Sequence, residues 1–220
     1  MKSLIEEIRE ALLAFESKRL SETVSKMLRE NFDPLEIINT ITIVLQEIGK
    51  KFEEGEFFLM HLVAAGEIVK KVITEQLEPL MKKAGTKRKT LGRVVIGTVA
   101  GDIHDIGKNI VASMLFSAGF DVIDLGVDVP VEEFIKAVEE YKPDILAMSA
   151  LLSTTLPMQK EVIERLKEKG LREKVKVMVG GAPVTPEWAT EIGADGYGED
   201  AIQAVKVARS LVSLRNNLHK

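Results

Sequence analysis

Residues 93–111 read RVVIGTVAGDIHDIGKNIV, and this stretch decides how the C-terminal part of the chain folds. Its first seven residues, 93–99, are mostly β-branched and apolar, which indicates a buried β-strand. A loop with two aspartates and a histidine follows, and a helical pattern begins near Gly107. Strand, loop and helix in this order form the first unit of a parallel α/β sheet.

The same alternation of short β-branched runs with helical stretches continues to the C-terminus. Further strands are predicted at residues 121–125, 145–149, 175–179 and 194–197. Five such units predict an α/β fold with a five-stranded parallel, doubly wound sheet, Rossmann-like and of the flavodoxin type. Ligands of these sheets bind outside the carboxyl ends of the strands. The histidine loop is therefore expected where a ligand binds.

The N-terminal part has a different pattern. Apolar residues recur at intervals of three and four from residue 3 to about residue 83, which predicts a bundle of four amphipathic helices. Breaks are expected near residues 17–21, at 31–34 and at Gly55. We expect a helical domain over residues 1–86, a linker at 87–91 and the α/β domain over 92–220. The basic, polar stretch KKAGTKRKTLG suits a solvated linker, with a docking patch as the alternative.

Composition excludes several classes of function. The 220 residues have a net charge of −4, which argues against nucleic acid or an anionic membrane as the main partner. No cysteine is present, so disulfides and thiolate metal sites are excluded. The opening MKSLIEEIREALLAF has no uninterrupted apolar run, so we expect neither a signal peptide nor a membrane span, and a cytoplasmic protein.

The loop after the first predicted strand has the chemistry of a metal ligand. Asp102 and His104 are two residues apart, so on extended backbone the carboxylate can lie beside the imidazole and orient it. Gly101 and Gly107 would allow a bulky flat ligand to approach, or backbone angles that a Cβ forbids. Plain helix capping remains an alternative. A dinucleotide site is disfavoured by the missing Gly-x-Gly-x-x-Gly pattern, and zinc because the other two histidines lie elsewhere in the chain.

Three spaced motifs carry a family resemblance. GDIHDIGKNIV, residues 101–111, resembles the Asp-x-His-x-x-Gly motif of the cobalamin-binding domains of methionine synthase and of corrinoid methyltransferase proteins. After 41 residues Ser149-Ala-Leu151 is similar to the family's Ser-x-Leu, and 28 residues further Gly180-Gly181 follows. The resemblance covers about residues 5–212, since methyl-carrying members of the family also have a four-helix cap.

The resemblance implies a cobalamin cofactor bound base-off, with His104 as the lower ligand to cobalt in place of the cofactor's own base. Asp102 and the hydroxyl of Thr155, where the family has Ser, would complete a proton relay with His104, and these three are the expected catalytic residues. Ser149 and Leu151 would line a pocket for the displaced nucleotide tail. The other cofactor-binding residues implied within the α/β domain are Gly101, Ile103, Asp105, Ile106, Gly107, Gly180, Gly181 and Tyr197.

Some of these assignments have simple alternatives. Gly180 and Gly181 are expected to leave room for the tail, whereas the loop at Tyr197 is equally consistent with a plain turn. In the cap, Phe52, Leu59 and Leu62 match apolar positions above the methyl group, but they also suit the core of the bundle. His61 is expected at the bundle edge and Trp188 in a packing role.

The function that the resemblance implies is a corrinoid protein that carries a methyl group on cobalt. It would shuttle between a substrate-specific methyltransferase and a second methyltransferase that serves the acceptor, and a reductive reactivation partner would fit. Such a chain is a component of a methyltransferase system rather than an autonomous enzyme. The alternatives are the cobalamin-binding subunit of an adenosylcobalamin mutase, a cobalamin sensor or regulator, and a response-regulator-like domain without corrinoid.

Overall fold

The computed structural model describes residues 3–77, 79–81 and 90–218, which divide into two compact units, a helical one and an α/β one that begins at Thr90. The predicted domain boundaries stay predictions, because most of the expected linker lies among residues 82–89, outside the described residues. No helix within the described ranges combines the length and the apolar character that crossing a membrane requires.

The helical unit contains the four predicted helices. They are α1 (Leu4–Leu13), α2 (Ser17–Arg29), α3 (Pro34–Glu53) and α4 (Leu59–Val72), and a π-helical turn, Ile73–Leu77, extends α4. Ser3 and Asp33 cap α1 and α3, because each side-chain oxygen accepts a hydrogen bond from a backbone N–H of the first turn. The predicted breaks are confirmed within a few residues, and only the π-helical turn was not expected.

The helical periodicity is explained by burial. One face of each helix contributes fully buried apolar side chains to a common core. The largest of them are Ile8, Leu12, Leu20, Met27, Ile37, Ile41, Ile48, Ile73 and Leu77.

The α/β unit alternates strands and helices along its whole length. Its elements are β1 (Arg93–Thr98), α5 (Ile106–Ser117), β2 (Asp121–Asp124), α6 (Val131–Tyr141), β3 (Ile145–Ser149), α7 (Leu156–Glu168), a 3-10 turn (Arg172–Lys174), β4 (Lys176–Gly180), α8 (Pro186–Ile192), β5 (Gly196–Gly198) and α9 (Ala201–Leu218). All five predicted strands are present, and their ends differ from the prediction by at most two residues.

The sheet has the strand order β2-β1-β3-β4-β5, and all its pairings are parallel. This is the flavodoxin-type order, so the fold prediction is confirmed. The chain leaves β1 first toward β2 and later returns to β3 on the other side. The resulting switch point between β1 and β3 opens a crevice at the carboxyl ends of these two strands.

Candidate cofactor site

The ends of four strands lie side by side at this crevice. Thr98 pairs with Ser149, Ser149 with Gly180, and Gly180 with Gly198, so one register row crosses β1, β3, β4 and β5. We call these four residues the terminal row. Two of the sequence motifs that the family resemblance singled out, at Ser149 and at Gly180, are thus direct neighbours. The histidine loop leaves β1 at the first residue of the row.

Asp102 is the hub of the histidine loop. Its side chain is completely buried, and both carboxylate oxygens accept hydrogen bonds. Oδ1 lies 2.7 Å from Nδ1 of His104 and accepts from the His104 N–H at 3.1 Å. Oδ2 accepts from the N–H of Leu151 at 2.7 Å and of Leu152 at 3.3 Å. A buried carboxylate with this many donors is satisfied as an anion.

The donors also determine the protonation of the hub. Burial by itself would raise the pKa of Asp102, but the N–H of Leu151, the imidazole and N–H of His104 and the hydroxyl of Thr155 together lower it well below its usual range. Asp102 is therefore ionised throughout the neutral range. An ionised Oδ1 at 2.7 Å requires a proton on Nδ1 of His104, and this fixes the tautomer.

His104 points its other ring nitrogen away from the hub. Its side chain is 48% exposed, and within the described part of the chain Nε2 has no hydrogen-bonding partner. The backbone carbonyl of His104 accepts a hydrogen bond from Oγ1 of Thr98 at 3.0 Å. An oriented imidazole with its Nε2 lone pair available is what metal coordination requires.

Thr155 completes the predicted constellation. The residue is buried, and its Oγ1 lies 2.9 Å from Oδ2 of Asp102 and 2.9 Å from the carbonyl oxygen of Leu152. Because a hydroxyl has one proton, it donates to only one of these acceptors at a time. The structure thus brings His104, Asp102 and Thr155 into one connected chain of hydrogen bonds.

Three apolar residues of the histidine loop, the start of α5 and the loop after β3 are exposed. Ile103 is 73% exposed and Ile106 is 77% exposed, and Leu151 is exposed as well. Exposed apolar patches of this kind mark binding sites. Asp105 faces the helix instead, since its Oδ2 accepts a hydrogen bond from the Asn109 amide. These residues fit cobalamin: Nε2 of His104 would bind the metal, and the exposed apolar side chains would lie against the flat ring.

The glycines of the motifs fall into two kinds. A Cβ at Gly107 would meet no atom within 4 Å, so nothing in the described structure requires glycine there. A Cβ at Gly181, which has a φ of +126°, would lie 1.8 Å from the carbonyl oxygen of Ala150, and one at Gly180 would lie 2.9 Å from that of Gly198. The chain's own backbone fills the space beside this pair. This packing is a sufficient reason for both glycines, and their predicted role in leaving room for the nucleotide tail stays a prediction.

Two models of the B12 binding domain match this chain, one over residues 92–206 and the other over residues 4–78. Curated relatives include trimethylamine corrinoid protein 1 of Methanosarcina acetivorans, which is 46% identical over 95% of this chain and 97% of its own length. Dimethylamine corrinoid protein 1 of Methanosarcina mazei is also 46% identical, over 95% of this chain and 96% of its own length. The chain belongs to the cobalamin-binding corrinoid proteins.

Solved structures agree with this assignment. The methanol:cobalamin methyltransferase complex MtaBC of Methanosarcina barkeri contains a chain that is 32% identical and superposes with a TM-score of 0.84, covering 99% of this chain and 85% of that one. A cobalamin-binding protein of Desulfitobacterium hafniense is also 32% identical, with a TM-score of 0.64 over 96% of this chain and 99% of that one. The cofactor of this corrinoid protein is cobalamin.

The three predicted cofactor residues of the helical unit differ in how deeply they are buried. Leu62 is only 7% exposed and belongs to the core of the bundle, so the simple alternative holds for this residue in the structure. Phe52 is half-buried, and Leu59 is exposed at the start of α4. His61 caps α4, since its Nδ1 accepts a hydrogen bond from the N–H of Phe58 at 2.8 Å.

The residues expected around the nucleotide tail lie at the carboxyl ends of β3, β4 and β5. Ser149 is half-buried at the end of β3, and Tyr197 is half-buried next to the terminal row. Burial, together with the nearby acidic residues Glu199, Glu187 and Asp200, raises the pKa of Tyr197. Its hydroxyl is therefore protonated at neutral pH and can donate a hydrogen bond.

Sequence reasoning missed several residues that hold the histidine loop. Thr98 donates to the His104 carbonyl oxygen, and Asp128 contacts the backbone of the loop through residues 101 and 102. Lys108 is buried against Asp124. A polar residue at the end of an apolar strand is a signal that points to Thr98. Asp128 contacts the loop, and Asp124 contacts the helix that follows it, from another βα unit, and no local pattern reveals such contacts.

Proposed function

We propose that this protein carries a methyl group on the cobalt of its cobalamin between two methyltransferases, with His104 as the protein ligand to the metal. When bound, the corrinoid supplies a cobalt centre that can accept and release a methyl group. The observation that carries the proposal is the hub at Asp102. It fixes the imidazole in one tautomer, and Nε2 has no hydrogen-bonding partner among the described residues.

The hub keeps a proton on the imidazole. Asp102 is held ionised by its donors, so the proton between it and His104 resides on Nδ1. When Nε2 is not engaged, its lone pair is available to accept a proton. The hydroxyl of Thr155 adjusts to either state because it has a choice between two acceptors. We propose that these three residues link the engagement of Nε2 to proton uptake.

The nucleotide tail is proposed to cross the ends of β3, β4 and β5. Ser149 and Leu151 lie at the entrance to this region, beside the loop that holds Asp102. Gly180 and Gly181 lie at the end of β4, and half-buried Tyr197 lies beside the terminal row in β5. Phe52 and Leu59 are proposed to contact the corrinoid. Leu62 is buried in the core of the helical unit.

The partner is proposed to be a methylamine methyltransferase. The relatives that share 46% identity over almost the whole chain are named for trimethylamine and dimethylamine, whereas the chain in the methanol complex is 32% identical. These names also favour a methyl carrier over a mutase subunit or a sensor. A second methyltransferase would take the methyl group onward.

Reconstitution tests the cofactor part of the proposal. Purified protein is incubated with hydroxocobalamin and desalted, and its absorption spectrum is compared with that of His104→Ala. The native protein should stay red with a histidine-ligated spectrum, and His104→Ala should lose that ligation. His61→Gln is the matched control, because it removes a histidine from the helical unit and should leave the spectrum unchanged. A native protein that retains no colour would refute the proposal.

Methyl transfer tests the partner. Reduced holoprotein is mixed with a trimethylamine or a dimethylamine methyltransferase and the corresponding amine, and demethylated amine is measured together with the change in corrinoid absorption. Turnover with one of these amines and none with methanol and a methanol methyltransferase is the expected result. Turnover with methanol and none with the amines would show that the partner is a methanol methyltransferase.

A further inference from the structure

The end of β2 and the loop that follows it contact the chain on both sides of His104. This segment, residues 124–130, reads DLGVDVP and leads into α6. One contact comes from Asp124 at the end of β2, and the other from Asp128 in the middle of the segment. Neither residue belongs to the motifs that identify the cofactor site.

Asp128 binds the backbone just before His104. Its N–H donates to the carbonyl oxygen of Asp102 at 2.8 Å, and its Oδ1 accepts from the N–H of Gly101 at 2.7 Å. Asp128 has a φ of +51°, in the left-handed region that few residues other than glycine, asparagine and aspartate adopt. In this conformation both its N–H and its carboxylate reach the histidine loop.

Asp124 binds the helix just after His104. Its Oδ2 accepts from Nζ of Lys108 at 2.5 Å, and Oδ1 accepts from the N–H of Gly126. The side chain of Lys108 is only 2% exposed, although it lies in the first turn of α5. A buried ammonium group needs its carboxylate partner, so this contact fixes the start of the helix relative to β2.

We propose that the segment 124–130 is a clamp that sets the position of the cobalt ligand. Asp128 holds the chain two to three residues before His104, and Asp124 holds it four residues after. His104 thus lies between two points of contact, and both contacting residues belong to a different βα unit. Asp128 is a positioning residue in this scheme, because it contacts neither the imidazole nor the expected ligand. The inference rests on the proposed role of His104.

The native protein and two variants of Asp128 distinguish a specific effect on the clamp from a general loss of stability. Asp128→Gly removes the carboxylate but accepts the left-handed φ without strain. Asp128→Asn keeps an oxygen acceptor, and asparagine tolerates this conformation, so it is the matched control. Both variants are expected to fold, and thermal unfolding of each is recorded beside the native protein.

Hydrogen exchange of the protein without cofactor is the first measurement. Loss of a hydrogen bond to a charged acceptor should speed exchange of the Gly101 amide about tenfold in Asp128→Gly. In Asp128→Asn the rate should stay within about twofold of the native rate. Exchange in the strands β3 and β4 should not change in either variant. If the exchange rate of the Gly101 amide is unchanged in Asp128→Gly, Asp128 does not hold the histidine loop and the proposed clamp is wrong.

Ligation of the bound corrinoid is the second measurement. Electron paramagnetic resonance of the cobalt(II) form distinguishes nitrogen-ligated from unligated cobalt through the splitting from the axial nitrogen. The ratio of ligated to unligated cobalt should fall about tenfold in Asp128→Gly and stay within about twofold in Asp128→Asn. An unchanged ratio in Asp128→Gly, with nitrogen ligation intact in the native protein, would refute the clamp alone. Absence of nitrogen ligation in the native protein would refute the proposed function and the clamp with it.

Discussion

Oδ1 of Asp102 lies 2.7 Å from Nδ1 of His104, with the carboxylate completely buried and the imidazole half exposed. The pair therefore spans the boundary between the interior and the surface. The buried member is fixed by backbone donors from the loop after β3, and the exposed member presents its second nitrogen to a ligand. Most of the predictions below concern how this boundary is maintained.

Removing the negative charge of Asp102 should destabilise the protein. Asp102→Asn keeps the shape of the side chain but replaces one acceptor oxygen by an amide group that faces donors. We expect a loss of about 2 kcal/mol in the free energy of unfolding at neutral pH. Denaturant unfolding of the protein without cofactor measures it. If Asp102→Asn loses no more stability than the exposed control Asp105→Asn, the ionised Asp102 does not stabilise the histidine loop as we infer.

The same variant has a defined pH dependence. The folded protein holds the pKa of Asp102 below its usual range, and the unfolded chain titrates near about 4. Below that pH the unfolded chain gains a proton that the folded protein does not, so the stability from this carboxylate falls as the pH falls. The difference in unfolding free energy between native protein and Asp102→Asn should be largest above about pH 5 and should shrink toward lower pH. A difference that grows on acidification would contradict the assignment.

Gly107 should be needed for the ligand and not for the fold. A Cβ at this position meets open space, so Gly107→Ala should leave the apoprotein as stable as before, or more stable by about 0.5 kcal/mol. Cobalamin affinity should fall, because the methyl group would stand where the ligand approaches. Thermal unfolding and equilibrium titration with hydroxocobalamin give the two quantities. Gly181→Ala is the contrasting variant, since its Cβ would collide with backbone and impair folding.

A hydroxyl should be required at position 155, but serine should supply it as well as threonine does. Thr155→Ser keeps the donor to Asp102, whereas Thr155→Val keeps the shape and removes it. We expect Thr155→Val to lower the free energy of unfolding by about 1 kcal/mol and to shift the pH at which histidine ligation is lost. Thr155→Ser should retain that pH. Spectrophotometric titration of the holoproteins compares them, and equal titrations of the native and Val proteins would remove Thr155 from the relay.

A buried amide should hold two strand ends together. Nε2 of Gln159 lies 3.1 Å from the carbonyl oxygen of Met148 and 3.3 Å from that of Gly180, and Oε1 accepts from Nε1 of Trp188 at 3.0 Å. Gln159→Met should lower the free energy of unfolding by about 2 kcal/mol, because it leaves buried polar groups without partners. Trp188→Phe removes only one donor and should cost less. Equal losses in the two variants would show that the carbonyl contacts contribute nothing.

The sequence allowed the five strands of the sheet and the Asp102–His104 contact to be predicted, because each depends on local patterns. Strands appear as apolar runs, and residues two apart on extended backbone are neighbours. The partners of Asp102 beyond His104 could not be found this way. The Leu151 amide is 49 positions along the chain, and a backbone N–H has no signature in sequence.

The two glycines and the helical unit also have features that depend on contacts in the folded protein and could not be predicted from local sequence patterns. Gly180 and Gly181 matched a motif, but only the fold shows that the chain itself occupies the space beside them. Leu62 shares a helical face with Leu59 by spacing, yet one is buried and the other exposed, because spacing does not say where a bundle ends. Asp128 was missed because its importance lies in a backbone angle and in contacts with a distant loop.

The terminal row also determines where this chain can change in length. Thr98, Ser149, Gly180 and Gly198 are level, so an inserted or deleted residue within any of these strands would displace one member and separate groups that act together. The candidate site residues do not lie at the amino ends of the strands. The turn at Gly170, where a Cβ would meet no neighbour within 4 Å, lies on that side. Insertions, affinity tags and natural variation in length should therefore be tolerated there, while the carboxyl edge keeps a constant residue count.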